Sequence, residues 1–278
     1  MAINLAEKYS PKVVEKFYQD SVILGKTSKK YDWDGVKTVK VWSITTVAPT
    51  DYNRTTDPTT GSRYGSTVEV EDTIQTMPIE QDKSVSLSVD KGNNTEQMLI
   101  KNAGIVMNHE MREQFIPMFD KYCLETWATN AGTTTTPSGA IDRETIVEEI
   151  SKHVTELMNA YASIDDAYCY IGATNYANLV LSKEFLHLYG LGNTALEKGV
   201  VGKVRDLKIV PIPDDYLPEG VEFMTVKSSC VLAPTKIKDM KIHQDPPGLS
   251  GALLEVRWLF DAFVLEAKNK GVIVCASA

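Results

Sequence analysis

A long two-stranded excursion constrains this chain more than any other feature. Residues Val36 to Asn94 read as one β-ribbon with a polar tip, ending at a helix cap. One arm is Val36-Lys37-Thr38-Val39-Lys40-Val41-Trp42-Ser43-Ile44. The tip, Pro49 to Ser66, is rich in Thr, Asp, Gly, Pro and Arg. The return arm runs from Thr67 to Asp90 and finishes in the alternation Ser84-Val85-Ser86-Leu87-Ser88-Val89. Two strands alone bury too little apolar surface to be stable in water. A ribbon this long therefore implies a neighbour to lie on, which points to a part of an assembly and away from a self-contained enzyme.

The rest of the chain is large enough for a substantial core. It has 278 residues, 43% of them hydrophobic and 24% charged, the balance of an ordinary globular protein. The net charge of −8 argues against a general nucleic-acid binder, which needs a basic face to displace counterions. The N-terminal residues Met1 to Lys8 lack the apolar run of a signal peptide, and no stretch is long and apolar enough to span a bilayer. A cytosolic origin is the expectation. Cys123, Cys169, Cys230 and Cys275 are far apart in apolar contexts. That spacing lacks the close pairs of a zinc site and reads as buried free thiols.

Along the chain, residues 1 to 35 read as an arm. Ser10 and Pro11 start a short helix that places Val13, Val14, Phe17 and Tyr18 on one side. After the ribbon, Asp90-Lys91-Gly92-Asn93-Asn94 is a hinge, and Asn94 with Gln97 matches a capping box. Thr95 to Ala128 reads as a long helix with Ile100, Ala103, Met107, Met111, Phe115, Met118 and Tyr122 on one stripe. Pro117 predicts a kink or break in it. The Thr/Gly/Pro loop from Asn130 to Gly139 is the best internal boundary. Asp142 then caps a helix with an apolar face of Val147, Ile150, Val154, Leu157, Met158 and Tyr161. Tyr168 to Ile171 reads as a buried strand, and Thr174 caps a helix through Leu181. Strands are expected at 207–212, 221–226, 230–233, 236–243, 253–265 and 272–274.

The search for chemistry finds little. His109-Glu110 begins like a metalloprotease helix, but Glu113 stands where the second His belongs. Asp165-Asp166 and Asp214-Asp215 are adjacent carboxylates. Neighbouring residues usually point apart, so surface loops are favoured over a general acid/base pair. Gly190, Gly192, Gly199 and Gly202 match no phosphate-binding pattern and read as a flexible loop. Trp33, Trp42, Tyr52 and Tyr64 lie near basic residues. In an acidic chain they read as anchors of a protein–protein contact. No cofactor, metal or catalytic residue is expected.

The ordering of arm, ribbon, hinge, long helix, α/β insert and returning strands resembles the HK97-type major capsid proteins of tailed double-stranded DNA bacteriophages. Three motifs carry the resemblance: the strand Asp32 to Ile44, the tip residues Asn53-Arg54 and Arg63-Tyr64-Gly65, and the hinge Asp90 to Asn94. It covers the whole chain and is most specific in the N-terminal half. The resemblance implies an α+β fold with four parts. These are an N-arm (1–35), an extended loop (36–92), a peripheral domain with a spine helix (93–138 and 236–278) and an axial domain (139–235). It implies no catalysis. Copies would form hexamers and pentamers of an icosahedral shell around packaged DNA, contacted non-specifically, with no membrane. A portal protein would be a partner, and a separate scaffolding protein too if this is the full gene product. The expected location is the virion, assembled in the host bacterial cytoplasm. Inter-subunit contacts are expected from Tyr52, Arg54, Arg63 and Tyr64 at the loop tip and from Phe17 and Tyr18 in the arm. An encapsulin-like compartment is the rival within the same fold. A hydrolase using an acidic pair is the rival from another class.

Overall fold

A computed structural model of the chain describes residues 20–33, 36–55, 62–64, 67–96, 102–182 and 202–277. The chain forms two compact units, one of them Trp33–Pro78 and the other the remainder.

The smaller unit is the ribbon. Strand β1 (Thr38–Ile44) pairs antiparallel with β2 (Asp72–Pro78), from Thr38 opposite Pro78 to Ile44 opposite Asp72. The Trp33 indole Nε1 donates to the Met77 carbonyl at 3.2 Å and closes the base. The ribbon is thus shorter than the sequence suggested. Its return arm ends at Pro78, and the alternating residues 81–90 belong elsewhere.

Those residues form β3 (Gln81–Asp90), the first strand of the larger unit. Asp90 Oδ1 accepts from the Asn93 amide and caps the short helix α1 (Lys91–Glu96). Asn94 lies inside that helix, so it is not the cap expected from sequence; Gln97 lies outside the described residues. Asn102 instead caps α2 (Ala103–Glu110), accepting from Gly104 and Ile105. Pro117 does not break the helix. One π-helical turn, Met111–Phe115, leads into α3 (Ile116–Thr129), and the Ile116 amide bonds Met111 five residues back. The wider turn changes the carbonyl register just where proline has no N–H to give.

There follow β4 (Thr133–Thr135), α4 (Ile146–Asn159), β5 (Ala167–Gly172), α5 (Ala173–Val180), β6 (Gly202–Val204), β7 (Leu207–Ile212), β8 (Val221–Lys227) and β9 (Val231–Leu232). The chain ends with β10 (Thr235–Gln244), β11 (Gly251–Phe260), β12 (Phe263–Val264) and β13 (Val272–Ala276). β3 pairs with β11, which pairs with β10, all antiparallel. Its period-two pattern fits that sheet, since Val85, Leu87 and Val89 pack on the core. Six strands in the order β4-β13-β8-β5-β7-β6 form the main sheet. The last strand, β13, thus joins the sheet built mainly from residues 167–227.

Two apolar clusters hold this unit together. In the first, the α2–α3 stripe of Met107, Met111, Phe115, Phe119, Cys123 and Trp127 packs with Leu254, Val256, Trp258 and Phe260 of β11. Phe119 stacks on Trp258 with ring centres 5.0 Å apart and meets Phe260 edge-on at 5.3 Å. Such pairs contribute about 0.5–1.5 kcal/mol beyond their buried area. The second cluster covers the other face of the main sheet. Ile146, Ile150, Val154 and Leu157 of α4 pack there with Cys169, Ile171, Ile209, Phe223 and Ile273. Alternate residues of β5 serve opposite clusters, Tyr170 the first and Cys169 with Ile171 the second.

Candidate assembly surface

The antiparallel register of the ribbon sorts its side chains onto two faces. Val39, Val41 and Ser43 share one with Met77, Gln75 and Thr73. Lys40, Trp42 and Ile44 share the other with Thr76, Ile74 and Asp72. On this second face Trp42 sits directly opposite Ile74, and both are exposed, at 63% and 46%. Ile44 beside them is 69% exposed. Val47, Val68 and Val70, beyond the paired strands, are exposed as well. Single exposed hydrophobic residues are ordinary, whereas Trp42, Ile44 and Ile74 lie together on one face of a two-stranded ribbon, an apolar patch of the kind that interaction surfaces carry.

The tip residues chosen from sequence are brought together in part. The Tyr52 and Tyr64 rings meet edge-on at 5.0 Å, and the Asn53 amide donates to the Arg63 carbonyl at 3.0 Å. Arg54 and Arg63 are exposed. Phe17 and Tyr18 lie outside the described residues. The exposed face of Trp42, Ile44 and Ile74 was missed as a unit. Both arms were visible as strands, but the register that aligns Trp42 with Ile74 was not.

The carboxylate pairs have separate structural roles. Asp214 Oδ1 accepts from the Thr174 amide at 3.1 Å, and Oδ2 accepts from the Thr174 hydroxyl at 2.7 Å. It therefore caps α5 from a distant segment, and Thr174, expected to be the cap, is the residue being capped. Asp215 pairs with Lys121 on the surface. Asp165 and Asp166 are exposed in the turn before β5. His153 is buried, with Nε2 2.9 Å from the Thr135 hydroxyl and Nδ1 2.9 Å from the Thr225 hydroxyl. Burial pushes its pKa down to about 3, so the ring ties α4 to β4 and β8 in its neutral form. The four cysteines are buried free thiols. Burial raises Cys169 to about 12 and Cys275 to about 11, which suppresses the reactive thiolate. Gly190, Gly192 and Gly199 lie outside the described residues, and Gly202 opens β6. Among the described residues no cluster of His, Cys, Asp and Glu is placed to hold a metal ion. Among them, too, no helix is long and apolar enough to cross a membrane.

No family model and no curated protein matches the sequence. Solved structures do match. A chain of the capsid of cyanophage P-SCSP1u superposes with a TM-score of 0.76 at 13% identity, covering 98% of this chain and 93% of that one. A chain from the mature capsid of bacteriophage PhiM1 gives 0.72 at 13%, covering 99% and 92%. A chain from Mycobacterium phage Che8 gives 0.70 at 18%, covering 98% and 96%. Nearly the whole length aligns in each case, so the likeness is one of fold along nearly the full chain. The fold of this chain is the HK97-type capsid fold that its sequence resembles.

Proposed function

We propose that the chain is the major capsid protein of a tailed bacteriophage. Copies assemble into the hexamers and pentamers of an icosahedral shell around double-stranded DNA. The observation that carries this reading is the exposed Trp42, Ile44 and Ile74 face on a two-stranded ribbon, in a chain with a capsid fold over its full length. A ribbon cannot justify that apolar surface alone, whereas a neighbouring subunit would cover it. The ribbon is the extended loop, lying over an adjacent copy, and its tip residues Tyr52, Arg54, Arg63 and Tyr64 add contacts there. The arm, through Phe17 and Tyr18, ties a further contact. Assembly then stabilises the subunit by mass action.

The role is structural and non-enzymatic. The capping and ion-pair roles of Asp214 and Asp215 disfavour the hydrolase reading. Net charge of −8 weakens binding to the packaged genome, which suits a container that must release it. The partners are other copies, a scaffolding protein and a portal protein. The chain assembles in the host bacterial cytoplasm and resides in the virion. Portal and terminase genes beside its own would favour this reading over an encapsulin-like compartment. Negative-stain electron microscopy of the expressed protein, with its scaffolding partner, tests it: closed shells are expected, and a strictly monomeric protein would sink it.

A further inference from the structure

Asp120 on α3 is a buried carboxylate, 1% exposed, whose partners lie 98 and 99 residues away in the sequence. The Ser21 hydroxyl donates to Oδ1 at 2.6 Å and the Val22 amide donates to Oδ2 at 2.9 Å. The segment they belong to is wound tightly. Lys26 Nζ donates back to the Val22 carbonyl at 2.8 Å, and the Lys26 amide bonds the Ile23 carbonyl at 2.9 Å. The Ser28 amide reaches the Val231 carbonyl at 3.0 Å. Val22 and Ile23 are buried in the first apolar cluster. Residues 20–28 are thereby fixed to the body of the larger unit, at the end of the segment that the sequence reads as an N-terminal arm, and Asp120 is their polar anchor.

We propose that Asp120 is a proton-operated latch. It holds residues 20–28, the root of the N-terminal arm, tightly when its carboxyl is protonated and more loosely once it is ionised. The hydrogen-bond chemistry permits both states. Val22 N–H continues to donate to Oδ2 when the proton sits on Oδ1. The Ser21 hydroxyl, which already accepts from the Ile23 and Leu24 amides at 3.3 and 3.2 Å, can take the bond from Oδ1 by releasing one of these long contacts. The Val22 contact survives protonation and the Ser21 contact re-forms with its direction reversed, at the expense of one long bond, while the cost of burying a charge disappears. The ionised form keeps that cost, offset in part by the two donors and by Lys26.

The surroundings leave the switch to Asp120. The groups that interact with it electrostatically are Lys26 from the root segment, Cys123 on the same helix, Tyr170 on β5 and Tyr216 after β7. Lys121 and Asp215 form their ion pair beside Tyr216. Burial raises the pKa of Cys123, Tyr170 and Tyr216, so these stay neutral in weak acid. Burial lowers Lys26, and Asp120 opposes that fall. For Asp120, burial outweighs the Ser21 and Val22 bonds and the Lys26 charge, and lifts its pKa to about 6. The docked value thus lies above the ordinary carboxylate value. The extra strength is fully present below that ordinary value and is lost as pH rises through the docked one. If Asp120 meets water when the root opens, docking weakens about tenfold between roughly pH 5 and pH 7.5.

Amide hydrogen exchange on the unassembled full chain reads this directly, so its outcome is independent of whether shells form. After correction for intrinsic exchange, the amides of Val22 to Lys26 should be about tenfold better protected at roughly pH 5 than at pH 7.5. Asp120→Asn should abolish that dependence. Ser21→Ala keeps the carboxylate but removes a donor to its ionised form, so the transition should move to higher pH. Protection that is flat with pH in the natural chain, or a transition that persists in Asp120→Asn, overturns the proposal. Should Asp120→Asn not fold, Ser21→Ala decides: an unshifted transition refutes the latch, and an upward shift supports it.

Discussion

Replacing Trp42 by alanine separates folding from assembly. The side chain is 63% exposed and lies across the ribbon from Ile74. Within the subunit the substitution removes one cross-strand pair, worth about 0.2–1 kcal/mol, so the melting temperature should barely move. In a shell the effect is larger. An aromatic side chain buries roughly 150–250 Å², and the exposed share leaves about 100–150 Å² for a neighbour to cover. At about 25 cal/mol per Å² that is about 3 kcal/mol, on the order of a hundredfold in the association constant. The protein concentration needed for assembly should rise by a comparable factor. Light scattering against concentration measures it, with circular dichroism melts of the unassembled subunit as the control. Assembly at an unchanged concentration would refute the reasoning, because the exposed face would then have no partner in the shell. A collapse of the melt would refute it differently, by placing Trp42 in the subunit's own core.

Three further outcomes follow from the geometry. Gly172→Ala places a Cβ 2.3 Å from Asp214 Oδ1 at ordinary backbone angles, displacing the cap of α5. Urea denaturation should show a loss of about 1–3 kcal/mol, and a neutral result would show that the cap contributes nothing. His153 binds a proton less readily in the fold, about 3, than its ordinary value of 6.5. The stability it contributes is present above the ordinary value and is lost as pH falls towards the folded one. Chemical denaturation across that range should therefore show a shallower acid loss in His153→Gln than in the natural chain; equal slopes would refute the assignment. Deleting residues 51–62 should leave the subunit folded by circular dichroism and impair shell formation, whereas unfolding would place the tip in the core.

Much of the larger unit was legible because its strands and helices carry strong periodicity. The segments 207–212 and 221–226 coincide with β7 and β8 but for one residue, Lys227. The helical stripe of Met107, Met111 and Phe115 faces the core as the spacing requires. Pairing over long distance was not legible. Residues 81–90 follow β2 after two residues and alternate cleanly, so local pattern joins them to the ribbon. Only β11, over 160 residues later, reveals their true partner. The capping of α5 by Asp214 has the same cause, since no local signal links it to Thr174. On the ribbon, Trp42, Tyr52 and Tyr64 could be picked out from sequence as candidate contact residues. The grouping of Trp42 with Ile44 and Ile74 could not, because both faces of β1 carry apolar residues and only the register with β2 shows which of them lie together.

The proposed function requires that a neighbouring subunit cover the Trp42, Ile44 and Ile74 face of the ribbon. A cryo-electron microscopy map of assembled shells tests it most directly. The account predicts density from an adjacent copy in van der Waals contact with Trp42, Ile44 and Ile74. Shells in which these three side chains remain open to solvent would contradict it.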